Sequence, residues 1–222
     1  MVKVTYITYA TGKKYLEKSQ EILSNGSKYF DETILYTIED IDAEFYKKNE
    51  KVFNSEIGAG YWLWKPYLIL KTLEQMNENE IVFYLDLGDF LHNNIKNFVI
   101  EHTIRNEGFF LVEGHHINSK WTKKDCLTLM DCDNDLYKNS IQLEAGCCAF
   151  QKNEKTIKFV KEWLFFCQNY DIVSKDNILE NDSNFIEHRY DQSILTNLSI
   201  KNGLKTVSIH QIFNYIIYNH FF

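Results

Sequence analysis

Five consecutive apolar residues, Ile81-Val82-Phe83-Tyr84-Leu85, run directly into Asp86-Leu87-Gly88-Asp89. A strand that is apolar on both faces belongs in the middle of a parallel sheet covered by helices, whereas a half-exposed strand alternates. This run therefore demands a layered α/β domain in which Asp86 leaves the carboxyl end of a central strand. Ligands of open α/β sheets bind beyond those ends, so the acidic turn is the first candidate for a site.

The flanking sequence agrees. Residues 2–9 are rich in β-branched and aromatic residues and predict a first strand. Ala10-Thr11-Gly12 makes a turn, residues 13–24 predict a helix stopped by Asn25-Gly26, and residues 33–36 a second strand. Such a βαβ start implies parallel pairing. Pro66, the only proline, is expected to open a helix through Met76, where its missing N–H costs nothing. Further on, the pattern predicts a helix over 94–106, a strand over 109–112 and a helix from Thr122 with Asp125 in a capping-box position. A strand over 143–150 follows, then a helix over 153–168 with Ile157, Val160, Leu164 and Phe165 facing inward. A polar loop, a helix over 187–202 ended by Gly203 and a strand over 206–209 complete the pattern. The 222 residues carry no repeat or linker and suit one α/β domain with a mostly parallel central sheet flanked by helices.

Charge and cysteine usage narrow the partners. The net charge of −7 argues against a broad grip on nucleic acid or an anionic membrane. Five cysteines, an odd number without a Cys-x-x-Cys pair, point to reduced thiols in a cytoplasm rather than a disulfide framework or zinc site. No apolar run reaches the roughly 18 residues needed to span a bilayer, and the N-terminus enters a strand pattern without a signal peptide. The aromatic segment 209–222, with Phe213, Tyr215, Tyr218, Phe221 and Phe222, has three readings. It packs on the core, it makes peripheral contact with the inner face of a membrane, or it marks a chain cut short; packing is the expectation. Nothing in the sequence sets the oligomeric state.

Three clusters carry candidate chemistry. Asp86 and Asp89 repel one another unless a cation lies between them or one is protonated, and Mg²⁺ or Mn²⁺ would satisfy both while holding a diphosphate. The plain alternative is a solvated turn in which one Asp caps the next helix. Gly58-Ala59-Gly60-Tyr61-Trp62-Leu63-Trp64-Lys65 offers stacking surface and a phosphate-binding cation, with one Trp expected in the core. His188-Arg189-Tyr190-Asp191-Gln192 joins a cation, a carboxylate and an amide near a helix start. Such a set can orient hydroxyls or stabilise charge at an anomeric carbon, although an Arg–Asp pair there is often a surface contact.

In series, Tyr61-Trp62-Leu63-Trp64-Lys65-Pro66, Phe83-Tyr84-Leu85-Asp86-Leu87-Gly88, Trp121-Thr122-Lys123-Lys124-Asp125 and His188-Arg189-Tyr190-Asp191-Gln192-Ser193 resemble segments of bacterial and large-virus glycosyltransferases of the GT-A fold. Those enzymes act on surface polysaccharide, lipopolysaccharide or glycoprotein glycans, and the resemblance covers roughly residues 2–210. More distantly the chain is similar to retaining transferases of the glycogenin and lipopolysaccharide-galactosyltransferase type. Their Asp-x-Asp, Asn-Ala-Gly and Asp-Gln-Asp motifs correspond to Asp86-Leu87-Gly88, Glu144-Ala145-Gly146 and Asp191-Gln192-Ser193. The resemblance implies transfer of a hexose or deoxyhexose from a nucleoside-diphosphate sugar, UDP-linked, to a glycan hydroxyl with retention. Residues 1–112 would form the nucleotide-sugar half and 113–222 the acceptor half. By position, Tyr9, Ala10 and Thr11 border the base, Asp86 meets the ribose or a metal, Lys65 contacts the donor, and Asp191 and Gln192 face the transferring sugar.

Gly88 stands where the second metal Asp is expected, with Asp89 one residue late. His210 is the positional candidate for a third metal ligand, set against a satisfied strand-end His. His115 and His116 fall to the acceptor side with His188 and Arg189; as neighbours on a strand, the first two should point to opposite faces. Sugar nucleotidyl transfer, glycoside hydrolysis and carbohydrate binding without catalysis are the rival readings.

Overall fold

A computed structural model describes residues 2–217, apart from the side chains of Lys14 and Tyr15. Six strands, β1 (Val4–Tyr9), β2 (Glu32–Tyr36), β3 (Ile81–Leu85), β5 (Phe109–Ile117), β6 (Ile141–Gln151) and β7 (Val207–Ser208), form one sheet in the order β2-β1-β3-β6-β5-β7. The short β4 (Phe90–Leu91) and β8 (Ile216–Ile217) pair separately. Pairings β1–β2, β1–β3 and β5–β7 are parallel, while β6 runs antiparallel to both neighbours. The sheet is thus mostly parallel with one reversed strand inserted beside its centre. Among the described residues, five helices of ten residues or more flank it: α1 (Lys13–Gly26), α2 (Trp64–Gln75), α3 (Lys96–Arg105), α4 (Glu154–Cys167) and α5 (Tyr190–Lys201).

All five residues of β3 are buried, as the unbroken apolar run demands. Its side chains alternate between two cores. Val82 and Tyr84 join α2, α4 and α5 through Leu68, Trp163 and Leu195. Ile81, Phe83 and Leu85 face the opposite layer, with Ile22 of α1 and Val99 of α3. Because β3 lies between β1 and β6, its carboxyl end opens between the two halves of the sheet.

Several expectations need correction. Pro66 is the third residue of α2, not the first, since Leu63 caps the helix and Trp64 begins it. The helix after Thr122 spans Lys124–Leu129 without a side-chain cap; Asp125 instead accepts the N–H groups of Ile178 and Leu179, each at 3.0 Å. Phe165 is 65% exposed, because α4 turns only its Val160–Leu164 side to the core. α5 begins at Tyr190, leaving Glu187 and His188 outside it.

In the C-terminal segment, Tyr215 stacks on Phe98 with ring centroids 5.4 Å apart and β8 pairs with β4, so this part packs on the domain. Tyr218, Phe221 and Phe222 lie outside the described residues. Among the described residues no helix is long and apolar enough to cross a membrane.

Candidate active site

The chain leaves β3 into a turn stitched to its reversed neighbour. Asp86 N–H donates to the Gly146 carbonyl at 2.8 Å, and Asp89 N–H closes the turn on the Asp86 carbonyl at 3.0 Å. The Asp86 carboxylate stands over Gly146: a Cβ there would lie 2.8 Å from Oδ2. Its Oδ1 accepts a short hydrogen bond from the Tyr84 hydroxyl and lies 3.5 Å from the Lys65 ammonium.

Lys65, from the first turn of α2, is 2% exposed, and its Nζ is also 3.3 Å from Asp191 Oδ2 at the start of α5. Burial alone would push this ammonium toward neutrality, but Asp191 and Asp86 outweigh it and hold Lys65 protonated, with its pKa raised. Burial raises Asp191 to about 6 despite Lys65, with Asp86 adding to the rise. Burial and the adjacent Asp86 keep Tyr84 neutral and able to donate. One buried cation thus ties three elements, β3, α2 and α5, into a charged centre.

Two cavities meet there, of about 710 Å³ and 580 Å³, and Trp62 and Asp86 line both. The larger is walled by Tyr9, Thr11, Trp64 and Tyr84 together with residues 53–56, 58 and 59. Trp64 is the expected core tryptophan: it stacks on Tyr9 at 4.0 Å and donates its indole N–H to the Gly58 carbonyl. Trp62 remains half-buried and available to a ligand. Ala10 lines neither cavity; it is buried, and its N–H donates to Tyr36.

The smaller cavity collects Lys65, Asp86, Asp89, Asp191 and Gln192, so the acidic turn and the distant Asp-Gln pair open into one cleft. Gln192 Oε1 accepts the Ala145 N–H at 3.2 Å and its Nε2 donates to Gln142 at 3.1 Å, which fixes the amide against β6. Arg189 and His116 share this cavity, and both pack on Trp121. Burial, then Arg189 and His115, lowers the His116 pKa and keeps that ring neutral.

The remaining predicted residues lie elsewhere. His188 is not on the cleft wall. It is buried, burial pushes its pKa down to about 3, and its Nε2–H donates to the Ile172 carbonyl while Nδ1 accepts the Lys123 N–H at 3.4 Å. His115 points away from the cleft toward His210, the rings 5.1 Å apart, as alternation along β5 requires. His210 therefore does not join Asp86 and Asp89, and among the described residues no three of His, Cys, Asp and Glu form a metal-holding group. Asp86 Oδ1 is already engaged by a hydroxyl and an ammonium. The cation built into the cleft is Lys65.

Two features escaped the sequence reading. Residues 58–62 all have left-handed φ, from 50° to 98°, which turns Trp62 over Gly58. Only the glycines signalled this. Glu144, within the Glu144-Ala145-Gly146 segment, is the other. It lines the smaller cavity; burial raises its pKa to about 7 against the pull of Arg189, and Asp86 raises it further. A lone charge inside an apolar strand was the available signal. The Trp121–Asp125 segment proves architectural: Lys123, fully buried, donates to the Asp176 carbonyl at 2.6 Å and holds the 174–186 loop beside Asp125.

No family model matches the sequence, and no curated protein matches it. Solved structures that resemble the chain path include the following three. One is a glycosyltransferase involved in glycosylation of the major capsid of PBCV-1, with 12% identity and a TM-score of 0.44 over 74% of this chain; the chain spans 66% of that structure, just under two thirds. Another is mouse xyloside xylosyltransferase 1, with 10% identity, a TM-score of 0.48 and coverage of 94% of this chain and 84% of that one. A third is a Bacillus anthracis protein described as a glucose-1-phosphate thymidylyltransferase, with 8% identity, a TM-score of 0.38 and coverage of 94% and 87%. At these values they are likenesses of chain path alone.

Proposed function

We propose that this chain transfers a hexose or deoxyhexose from a nucleoside-diphosphate sugar, UDP-linked, to a hydroxyl of a surface-glycan acceptor, with retention, in the cytoplasm or at the inner face of a membrane. The observation that carries the reading is Lys65, a buried cation held between Asp86 and Asp191 where two cavities join.

The larger cavity has the size and aromatic walls to receive a nucleoside. Asp86, whose Oδ2 lies over Gly146, accepts hydrogen bonds from the ribose. The diphosphate then lies at the junction beside Lys65. As the bond from the anomeric carbon to the phosphate oxygen lengthens, negative charge grows on the departing diphosphate, and a pre-placed ammonium in a water-poor cleft stabilises that charge more than the ground state. Asp191 lies across the sugar and balances its positive character, while Gln192, fixed to β6, shapes the sugar subsite. The acceptor enters beside His116 and Arg189. No step is assigned to a metal ion.

A thermal-shift screen of UDP, GDP, CDP and their sugars, with and without Mn²⁺, tests the binding half. A ligand at about a hundred times its Kd adds about 2.7 kcal/mol of apparent stability, and UDP is expected to raise Tm by several degrees without Mn²⁺. Asp86→Asn and Asp191→Asn are each expected to lower sugar transfer at least 100-fold. Wild-type rates in both variants would remove the scheme. Pyrophosphate among the products would convert the reading to nucleotidyl transfer.

A further inference from the structure

The second carboxylate of the smaller cavity, Glu144, has been given no task. It projects from β6 one residue before Ala145, whose N–H is held by Gln192, and two before Gly146, which supports Asp86. Its own side chain lies over Gly114 of β5, where a Cβ would come 2.0 Å from Oε1. Two glycines on adjacent strands thus make the floor on which two carboxylates stand side by side in one cleft. They differ in what holds them: Asp86 is bonded by Tyr84 and Lys65, whereas Glu144 has neither a hydrogen-bond donor nor an ion-pair partner among the described residues. A shielded carboxylate without a donor is destabilised unless a bound molecule supplies one. Arg189, also on this wall, has a buried Nε without a hydrogen-bond partner. A ligand hydroxyl that enters this cavity can donate to Glu144 while its oxygen faces the donor sugar.

We propose that Glu144 is the general base of the transfer, taking the proton of the attacking hydroxyl. This rests on the transfer reading and adds the residue it lacked. The acceptor oxygen bonds to the anomeric carbon from the face that the diphosphate leaves, so configuration is retained; the bond from that carbon to the diphosphate oxygen breaks, the diphosphate leaves with the electron pair, and the hydroxyl proton passes to the Glu144 carboxylate. A group that titrates near neutrality, as burial makes Glu144 do, suits this work at cellular pH.

The test needs no knowledge of the acceptor, because water and azide both attack a bound donor. UDP release from UDP-glucose, UDP-galactose and UDP-N-acetylglucosamine is measured for wild type, Glu144→Gln and Glu144→Ala. UDP-induced thermal shifts report folding and donor binding. Both variants should keep the wild-type UDP shift and lose at least 100-fold in kcat. Azide is already anionic and needs no base, so it should restore at least tenfold of the Glu144→Ala turnover and yield a glycosyl azide. The acidic limb of the wild-type kcat profile, set by Glu144 near pH 7, should move down in Glu144→Gln to the limb that Asp191 sets near pH 6. The other ionisable groups facing that side chain, Arg189, Lys65, Asp86, Asp89, Asp191, Glu187 and His116, remain in the variant. A Glu144→Gln enzyme within threefold of wild type, or a Glu144→Ala enzyme that binds UDP normally yet gains nothing from azide, overturns the assignment and leaves the transfer reading standing. A wild-type chain that shows no UDP-induced thermal shift and turns over neither these donors nor a UDP-deoxyhexose refutes the transfer reading and this one with it.

Discussion

The cleft concentrates groups that the folded chain would be more stable without. Burial raises the Glu144 pKa to about 7, against an unfolded value of roughly 4.3. Between those values the native state holds a proton that the unfolded state has released, so stability falls as pH rises through that window. The ionised side chain then costs on the order of 3 kcal/mol above pH 7, before solvent at the cavity mouth relieves part of it. Glu144→Gln removes the titration and keeps the shape. Its stability by urea denaturation should gain on the wild type between pH 5 and pH 8 by about 2 kcal/mol. A gap that stays constant across that range would mean the carboxylate titrates as an exposed one and has no special environment. Asp191 shifts in the same direction, to about 6, but Lys65 offsets part of its cost. The sequence made Asp86, Asp191 and Lys65 visible because each sat in a motif with its own chemical logic. The buried bridge between them joins positions 126 residues apart, from Lys65 to Asp191, and no local pattern encodes that. His188 was misplaced for the opposite reason: its neighbours in sequence are functional candidates, but the irregular segment leading into α5 turns its ring into the core, where both nitrogens are satisfied.

At the level of elements, run length and periodicity announced β3, α4 and the βαβ start. What they cannot carry is direction. β6 has the apolar character of a central strand, yet it lies antiparallel between β3 and β5. That reversal aims its early residues, Glu144 to Gly146, at the same end of the sheet as Asp86. The left-handed segment 58–62 is equally hidden, because three of its five residues are not glycine and left-handed backbone costs such residues about 1 kcal/mol or more apiece. It persists because the Trp64 indole bonds to the Gly58 carbonyl and Gly60 N–H bonds to the Ser55 carbonyl at 2.9 Å. Gly60 is the position with no tolerance: its φ is 98°, and a Cβ would lie 2.9 Å from the Phe53 Cα. Gly60→Ala should lose about 2 kcal/mol or more in urea unfolding and weaken the UDP-induced thermal shift, since residues 53–56, 58 and 59 wall the larger cavity. A variant as stable as wild type would mean that the turn is not left-handed there.

On the scale of the molecule, residues 1–112 and 113–222 divide the proposed chemistry but not the structure. β6, from the second half, sits between β3 and β5, both of which begin in the first. Each core also draws on both halves: Val82 and Tyr84 share one with Trp163 and Leu195, and Phe83 and Leu85 share the other with Ile209 and Ile212. The charged centre has the same character, since Lys65 and Asp86 come from one half and Asp191 from the other. A chain built this way has no internal boundary at which few contacts cross, so it should unfold as one cooperative unit. Trp62 and Trp64 report on the first half, Trp121 and Trp163 on the second, and far-UV circular dichroism reports on the whole. Their urea transitions should coincide, and UDP should move them together. A fragment of residues 1–112 should stay unfolded, because β3 would then expose an apolar edge where β6 belongs. Should the first half melt separately, or fold alone and bind UDP, the two sides of the cleft would be independent bodies, and the fixed spacing of Lys65 from Asp191 that the proposed chemistry requires would be lost.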